Sequence, residues 1–265
     1  MGTEEFDTGQ PHSARVYDYL LGGKDNFAAD RAAAEMALGK LPTLRASVQA
    51  NRSFMIRSAR YLAAERGLRQ FLDIGTGLPT APNLHQVVQA VDPTCRVVYV
   101  DNDPIVLVHA RALLTSAPEG RTAYVEADLR TPKAITDTPA LRDTLDLDRP
   151  VAVSLIAVMH FVTDDDATRQ ILSALIDPLA PGSALALSVV TTDADPDAAP
   201  AGFESLRTNV TAVRPRTLAE VEAMFDGLEL VEPGVVPVHQ WRPDSNAPRL
   251  LDTQVHVYGA VGIKP

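Results

Sequence analysis

The segment Phe71-Leu-Asp73-Ile-Gly75-Thr76-Gly77-Leu-Pro79 holds the most chemistry-rich spacing in the sequence. A short apolar strand that delivers two glycines to the carboxyl edge of a parallel sheet lets a nucleotide-like ligand lie against bare backbone. A dinucleotide site would need a third Gly or Ala three positions after Gly77, and a helix opening directly onto the pyrophosphate. Position 80 is Thr, and Pro79 and Pro82 delay the next helix. Asp73 sets a carboxylate beside the loop, which would repel a pyrophosphate and suits a cation. The pattern favours a positively charged nucleoside over NAD or FAD.

Two further carboxylates recur at equivalent places. Asp101, with Asn102, ends the run Arg96-Val-Val-Tyr-Val100, where an acid can accept both ribose hydroxyls. Asp128 follows a third short strand and can accept from an adenine amino group while the Leu129 amide donates. Taken singly, Asp101 could be a turn or cap before Pro104, and Asp128 an ordinary turn residue. Together with Asp73, Gly75, Thr76 and Gly77 they are far more specific. S-adenosylmethionine fits this description: an adenosine, a sulfonium and an amino-acid tail with an ammonium group.

Catalytic candidates are sparser. His160 follows the fourth strand, and an imidazole titrates in a useful range if a methyl acceptor arrives protonated. The alternative is a strand-end histidine bonded to loop backbone. Asn51 and Arg52 sit mid-helix, where an exposed polar face is the default, and Arg52 is the candidate to reach the site. Trp241 and His239 either line an acceptor cavity or anchor a Pro-rich loop. Cys95 has no basic partner nearby in sequence to activate it, and no Cys/His cluster has zinc spacing, so no metal is expected.

The elements that position these residues fall into two regimes. Residues 14–21, 25–38 and 43–66 read as helices, with Ser13 and Thr43 as caps and Gly22-Gly23, Gly39 and Gly67 as stops. From residue 68, short β-branched runs (71–74, 96–100, 123–126, 151–158, 184–190) alternate with helices at 83–91, from Pro104 to Leu114 and at 165–176. That alternation predicts βαβ units and a parallel sheet with helices on both faces. The polar stretch 193–202 reads as a mobile loop. Thr217-Leu-Ala-Glu220 opens a helix with capping-box spacing that Gly227 closes, and 228–231 with 254–261 read as an antiparallel edge hairpin.

Composition narrows the function classes. The chain has 265 residues, 34 acidic against 24 Lys and Arg, and a formal net charge of −10, which argues against a phosphate-backbone partner. A chain of this length buries roughly three-quarters of its unfolded surface and needs no disulfide or metal staple. The longest apolar run, Val151 to Met159 broken by Ser154, is far short of the ~20 residues a membrane span requires. The opening Met1–Asp7 lacks a signal peptide's basic and apolar regions, and Phe6 stands where a myristoylation signal wants Ser or Thr. These readings predict a cytoplasmic protein with no nucleic-acid or membrane partner, its oligomeric state left open.

The order of elements, with Asp73-Ile-Gly-Thr-Gly77, Val100-Asp101-Asn-Asp-Pro104 and Glu126-Ala-Asp128, resembles class I S-adenosylmethionine-dependent methyltransferases. The fuller pattern is similar to the bacterial "S-adenosyl methyltransferase" family, formerly a domain of unknown function. The strings Ser13-Ala-Arg-Val-Tyr-Asp-Tyr-Leu-Leu-Gly-Gly-Lys-Asp-Asn-Phe27, Phe71 to Thr80 and Ala157-Val-Met-His-Phe161 carry that likeness, from about residue 13 to the C-terminus. The resemblance implies a Rossmann-like, seven-stranded, mostly parallel sheet with an antiparallel last strand, preceded by a helical cap over residues 1–67. It implies that Tyr17 and Gly23 help cover the cofactor, where close backbone approach and a tyrosine π face suit a sulfonium. A bland alternative is a helix C-cap with one tyrosine packed on the core. The expected activity is methyl transfer from S-adenosylmethionine to a small-molecule O or N nucleophile. The alternative is a cofactor-binding sensor or partner protein that has lost turnover.

Overall fold

The computed structural model describes residues 8–113 and 115–265. The acidic opening Met1–Asp7, and Leu114 at the expected end of the helix after Pro104, lie outside the described residues. Three helices lead: α1 (Ser13–Leu21), α2 (Ala28–Lys40) and α3 (Leu44–Ala64). Then come β1 (Gln70–Ile74), α4 (Leu84–Val91), β2 (Arg96–Asp101), α5 (Pro104–Leu113) and β3 (Arg121–Glu126). Two short helices, α6 (Pro132–Thr136) and α7 (Pro139–Arg142), precede β4 (Ala152–Ile156), α8 (Asp165–Ile176) and β5 (Ala184–Val190). The chain ends with α9 (Ala199–Asn209), α10 (Leu218–Ala223), β6 (Glu229–Leu230), β7 (Val236–Pro237) and β8 (Val257–Ile263).

Among the described residues the sheet has the order β3-β2-β1-β4-β5-β8-β6, with β7 also on β8. The first five strands run parallel, and β8 lies antiparallel between β5 and the pair β6 and β7. The expected seventh position is filled by two short pieces, which makes eight strands. Val97 to Val100 of β2 are fully buried, as a parallel strand covered by helices on both faces must be.

Alternation along the strands divides the core. Leu72, Val98, Val153 and Leu185 face α8 and α10, meeting Ile171, Leu175 and Val221. Phe71, Val97, Tyr99 and Ala186 face α3 and α4, meeting Phe54, Leu62 and Val88. A third cluster joins α1, α2 and α9 through Val16, Ala34, Leu41 and Phe203, and Leu44 and Val48 of α3 belong to it.

Three expectations are corrected. The stretch 193–202 is not wholly loop: α9 begins at Ala199 with Pro200 in its first turn, where the missing amide costs nothing, and it packs on α2. The cap of α1 is His12, whose Nδ1 lies 3.3 Å from the Ala14 amide, and Ser13 is the first helical residue. The helix from Thr217 ends at Ala223, with turns carrying the chain to Gly227.

Candidate functional site

At the carboxyl ends of the parallel strands lies a cavity of about 400 Å³. Asp73, Gly75, Thr76, Gly77, Asp101, Asn102, Asp128, Leu129, Tyr17 and His160 all line it. Topology explains the convergence: β1, β2 and β3 are neighbours in register, so their terminal acids share one edge. The glycine loop is held against β2. Gly75 and Thr76 donate to the Val100 carbonyl at 2.8 and 3.2 Å, and Gly77 donates to Asp101 Oδ2 at 2.9 Å. Gly75 and Gly77 both have positive φ, 73° and 66°, which only glycine adopts without strain. A Cβ at Gly75 would stand 2.5 Å from Val158 Cγ2, whereas one at Gly77 would meet nothing within 4 Å. The loop at Gly77 therefore presents bare backbone to open space. The Thr76 hydroxyl is spent inside the turn, donating to the Asp73 and Val100 carbonyls.

The three acids have different electrostatics. Burial raises the Asp73 carboxyl to about 6, against the smaller pull of Ser154 and Arg52. Burial also raises Asp101, countered by the Gly77 and Asp103 amides that its two oxygens accept. Asp128 is pulled down to about 2 by its own near neighbour, Arg130, whose Nε and Nη2 clasp both carboxylate oxygens. Its remaining lone pairs are what an adenine amino group could use.

Arg52 reaches the cavity. It lines the same space as Asp73, its Nη2 donates to the carbonyls of Thr80 and Pro82, and its buried Nε has no partner among the described residues. Beside it, Asn51 is a structural pin. It donates to the Tyr17 hydroxyl at 2.9 Å and accepts from Ser188 Oγ at 2.6 Å. Ser188 Oγ in turn accepts the Ala157 amide at 3.0 Å, steadying a residue with a φ of 54° at the exit of β4.

His160 is buried in the cavity wall and tilted against Phe161, with ring centroids 4.2 Å apart. Its Nδ1 has no partner among the described residues, and burial pushes the imidazole down to about 3, so the ring is neutral at physiological pH.

Gly23 stands apart from the lining residues. A Cβ there would collide with the Asp18 carboxylate, which accepts the Asp25 amide at 3.0 Å and Asn26 Nδ2 at 2.8 Å. The glycine is needed so that the loop can close over Asp18. Trp241 does not line the cavity either. It is fully buried, edge-on to Phe54 and Tyr61, and anchors its loop to α3. His239 lies with it, 3.2 Å from Asp252. Burial raises the Cys95 thiol to about 11, leaving it inert. His256 and α9, which sequence reasoning passed over, also line the cavity. Among the described residues, no group of His, Cys, Asp or Glu could hold a metal ion, and no helix is long and apolar enough to cross a membrane.

A mostly parallel sheet with an antiparallel strand inserted near one edge, acids at successive strand ends and a two-glycine loop define a Rossmann-like methyltransferase fold. A family profile described as S-adenosyl methyltransferase matches residues 1–265, and the chain belongs to that family. It is similar to the crystal structure of a DUF574 family protein from Streptomyces avermitilis, with 51% identity and a TM-score of 0.94 over 98% of this chain and 99% of that one. It is also similar to a candidate methyltransferase from Thermobifida fusca, with 42% identity and a TM-score of 0.90 over 97% and 96% of the two chains. An O-methyltransferase family protein from Burkholderia thailandensis, 16% identical with a TM-score of 0.53 over 83% of this chain and 60% of that one, shares the fold alone. No curated protein matches the chain.

Proposed function

We propose that the protein moves a methyl group from S-adenosylmethionine to an oxygen or nitrogen of a small molecule. The observation that carries this reading is the convergence of Asp73, Asp101 and Asp128 on one cavity beneath an open glycine loop. Bound there, the cofactor supplies an electrophilic methyl on a positively charged sulfur.

The residues present suit such a ligand. Asp101 and Asn102 hold the ribose hydroxyls. Asp128 and the Leu129 amide hold the adenine edge. Asp73 and the loop carbonyls face the ammonium of the amino-acid tail, and the orphaned Nε of Arg52 suits its carboxylate. Tyr17, pinned by Asn51, closes the site from α1. Displacement at carbon asks mainly for alignment, so these contacts, by fixing both reactants, supply much of the rate. The neutral His160 imidazole can hydrogen-bond the acceptor's nucleophilic group and so orient it.

Isothermal titration tests the reading. S-adenosylmethionine and S-adenosylhomocysteine should both bind, and Asp101→Ala should weaken each by several-fold or more while the fold survives. Unchanged binding removes the assignment.

A second reading has one observation in its favour. Among the described residues no acid orients His160 and its Nδ1 lacks a partner, so no activated base stands there. A cofactor-binding sensor would keep the same carboxylates. It predicts ligand-induced stabilisation with no S-adenosylhomocysteine released over a broad acceptor panel.

A further inference from the structure

The cavity extends beyond the strand ends that suit the cofactor. Neighbouring strands lie about 4.8 Å apart, so the span from β3 across β2 and β1 to β4 is about 14 Å, and β5 and β8 add about 10 Å more. Val190, at the carboxyl end of β5, pairs with Val257 at the start of β8, and both line the cavity. Phe203 and Leu206 of α9, with Val210 and Val213 beyond it, wall the same end. From His160 to the C-terminus, the ionisable side chains in the lining are two histidines, His160 and His256. Both are buried, and the Nδ1 of each has no partner among the described residues. His256 is fixed through Nε2, 2.8 Å from Thr43 Oγ1. Burial lowers both imidazoles, so neither offers a counter-charge at neutral pH.

We propose that this β5–β8 end of the cavity is the acceptor compartment, and that the acceptor is an uncharged, mainly apolar compound presenting a hydroxyl or amino group to His160. The inference rests on reading the strand-end acids as the cofactor site. A charged acceptor would leave water for a wall of aliphatic and aromatic side chains that itself carries no carboxylate, guanidinium or ammonium group, a cost of several kcal/mol. An unpartnered imidazole nitrogen, by contrast, is satisfied by a neutral hydroxyl or amino group, which can both donate and accept. In the transfer, the acceptor oxygen or nitrogen bonds to the methyl carbon as the carbon–sulfur bond breaks. The electron pair stays on sulfur, which becomes neutral, and the acceptor proton is released to water, with His160 holding the acceptor's hydroxyl or amino group by a hydrogen bond.

Protein saturated with S-adenosylhomocysteine should be titrated with 2-naphthol, with 2-naphthoate and with 2-naphthylmethylammonium, which share a ring system and differ in charge. We expect naphthol to bind at least tenfold more tightly than either ion. Leu206→Asp should abolish that preference while S-adenosylhomocysteine affinity stays within twofold, and Val213→Asp on a separate segment gives the same readout if the first variant misfolds. Equal binding of the ions, or no naphthol binding to protein that does bind S-adenosylhomocysteine, overturns the acceptor assignment alone. Failure of S-adenosylhomocysteine to bind overturns the cofactor reading and this inference with it.

Discussion

Asp73 is where burial and ligand charge oppose each other most directly. Its carboxyl is raised from 3.8 to about 6, chiefly by burial, so the folded protein holds that proton more tightly than the unfolded chain does. The linked stabilisation is full below about pH 4 and is lost as pH rises through about 6. A ligand that brings an ammonium group reverses the preference, because it wants the ionised carboxylate. We therefore predict that affinity for S-adenosylhomocysteine falls about tenfold per pH unit below about 6. Asp73→Asn should bind more weakly, lose that slope, and be more stable than the parent at pH 7.5 when empty. Titration calorimetry from pH 5 to 8, with denaturant melts of the empty proteins, checks all three. A parental affinity that is flat across pH 5–7 would show that Asp73 does not face the ammonium. Gly75→Ala is a second residue-scale case: a positive φ and a Cβ 2.5 Å from Val158 leave no room, so binding should be lost through a displaced loop.

At the scale of elements, Asn51 joins three that approach the site from different directions. It bonds Tyr17 on α1 and Ser188 on β5, and Ser188 holds the Ala157 amide where β4 ends. Asn51→Ala would leave a buried serine hydroxyl short of one partner and remove one of the bonds that tie α1 to α3. Expected outcomes are a loss of about 2 kcal/mol in urea unfolding and weaker S-adenosylhomocysteine binding, although Asn51 carries no charge toward the ligand. Normal stability with normal binding would show that the three elements are held independently. The same pin illustrates what was legible in the chain. The strand-end acids and the glycine loop were readable because strand, turn and carboxylate lie within a few residues of each other. Asn51–Ser188 spans 137 positions and Thr43–His256 spans 213, so no local spacing announces either pair. The helix α9 was hidden for a different reason. Its first turn carries Pro200 and Gly202, the two weakest helix formers, and the element exists because Phe203 and Leu206 pack against the α2 surface and the cavity.

The whole molecule turns on α3, which belongs to two cores at once. Leu44 and Val48 pack with α1, α2 and α9, while Phe54, Met55 and Leu62 pack beneath the sheet. The N-terminal helices expected as a cap over residues 1–67 are thus continuous, through one helix, with the packing that covers β1 and β2. The far end of the chain closes on the same helix. Arg57, buried, donates to the carbonyls of Trp241 at 2.9 Å and Val238 at 2.6 Å, and Trp241 lies edge-on to Phe54 and Tyr61. We predict that the cap and the sheet unfold in one transition, with near- and far-ultraviolet circular dichroism melting together. Arg57→Ala should lower that single transition by about 3 kcal/mol, because two carbonyls lose their partner inside a packed region and the C-terminal segment loses its hold on α3. Arg57→Lys should recover only part of it, since one ammonium cannot span two carbonyls as the planar guanidinium does. Two separated transitions in the parent protein would mean that the helices before residue 68 fold as a unit of their own, and that α3 transmits nothing between the clusters.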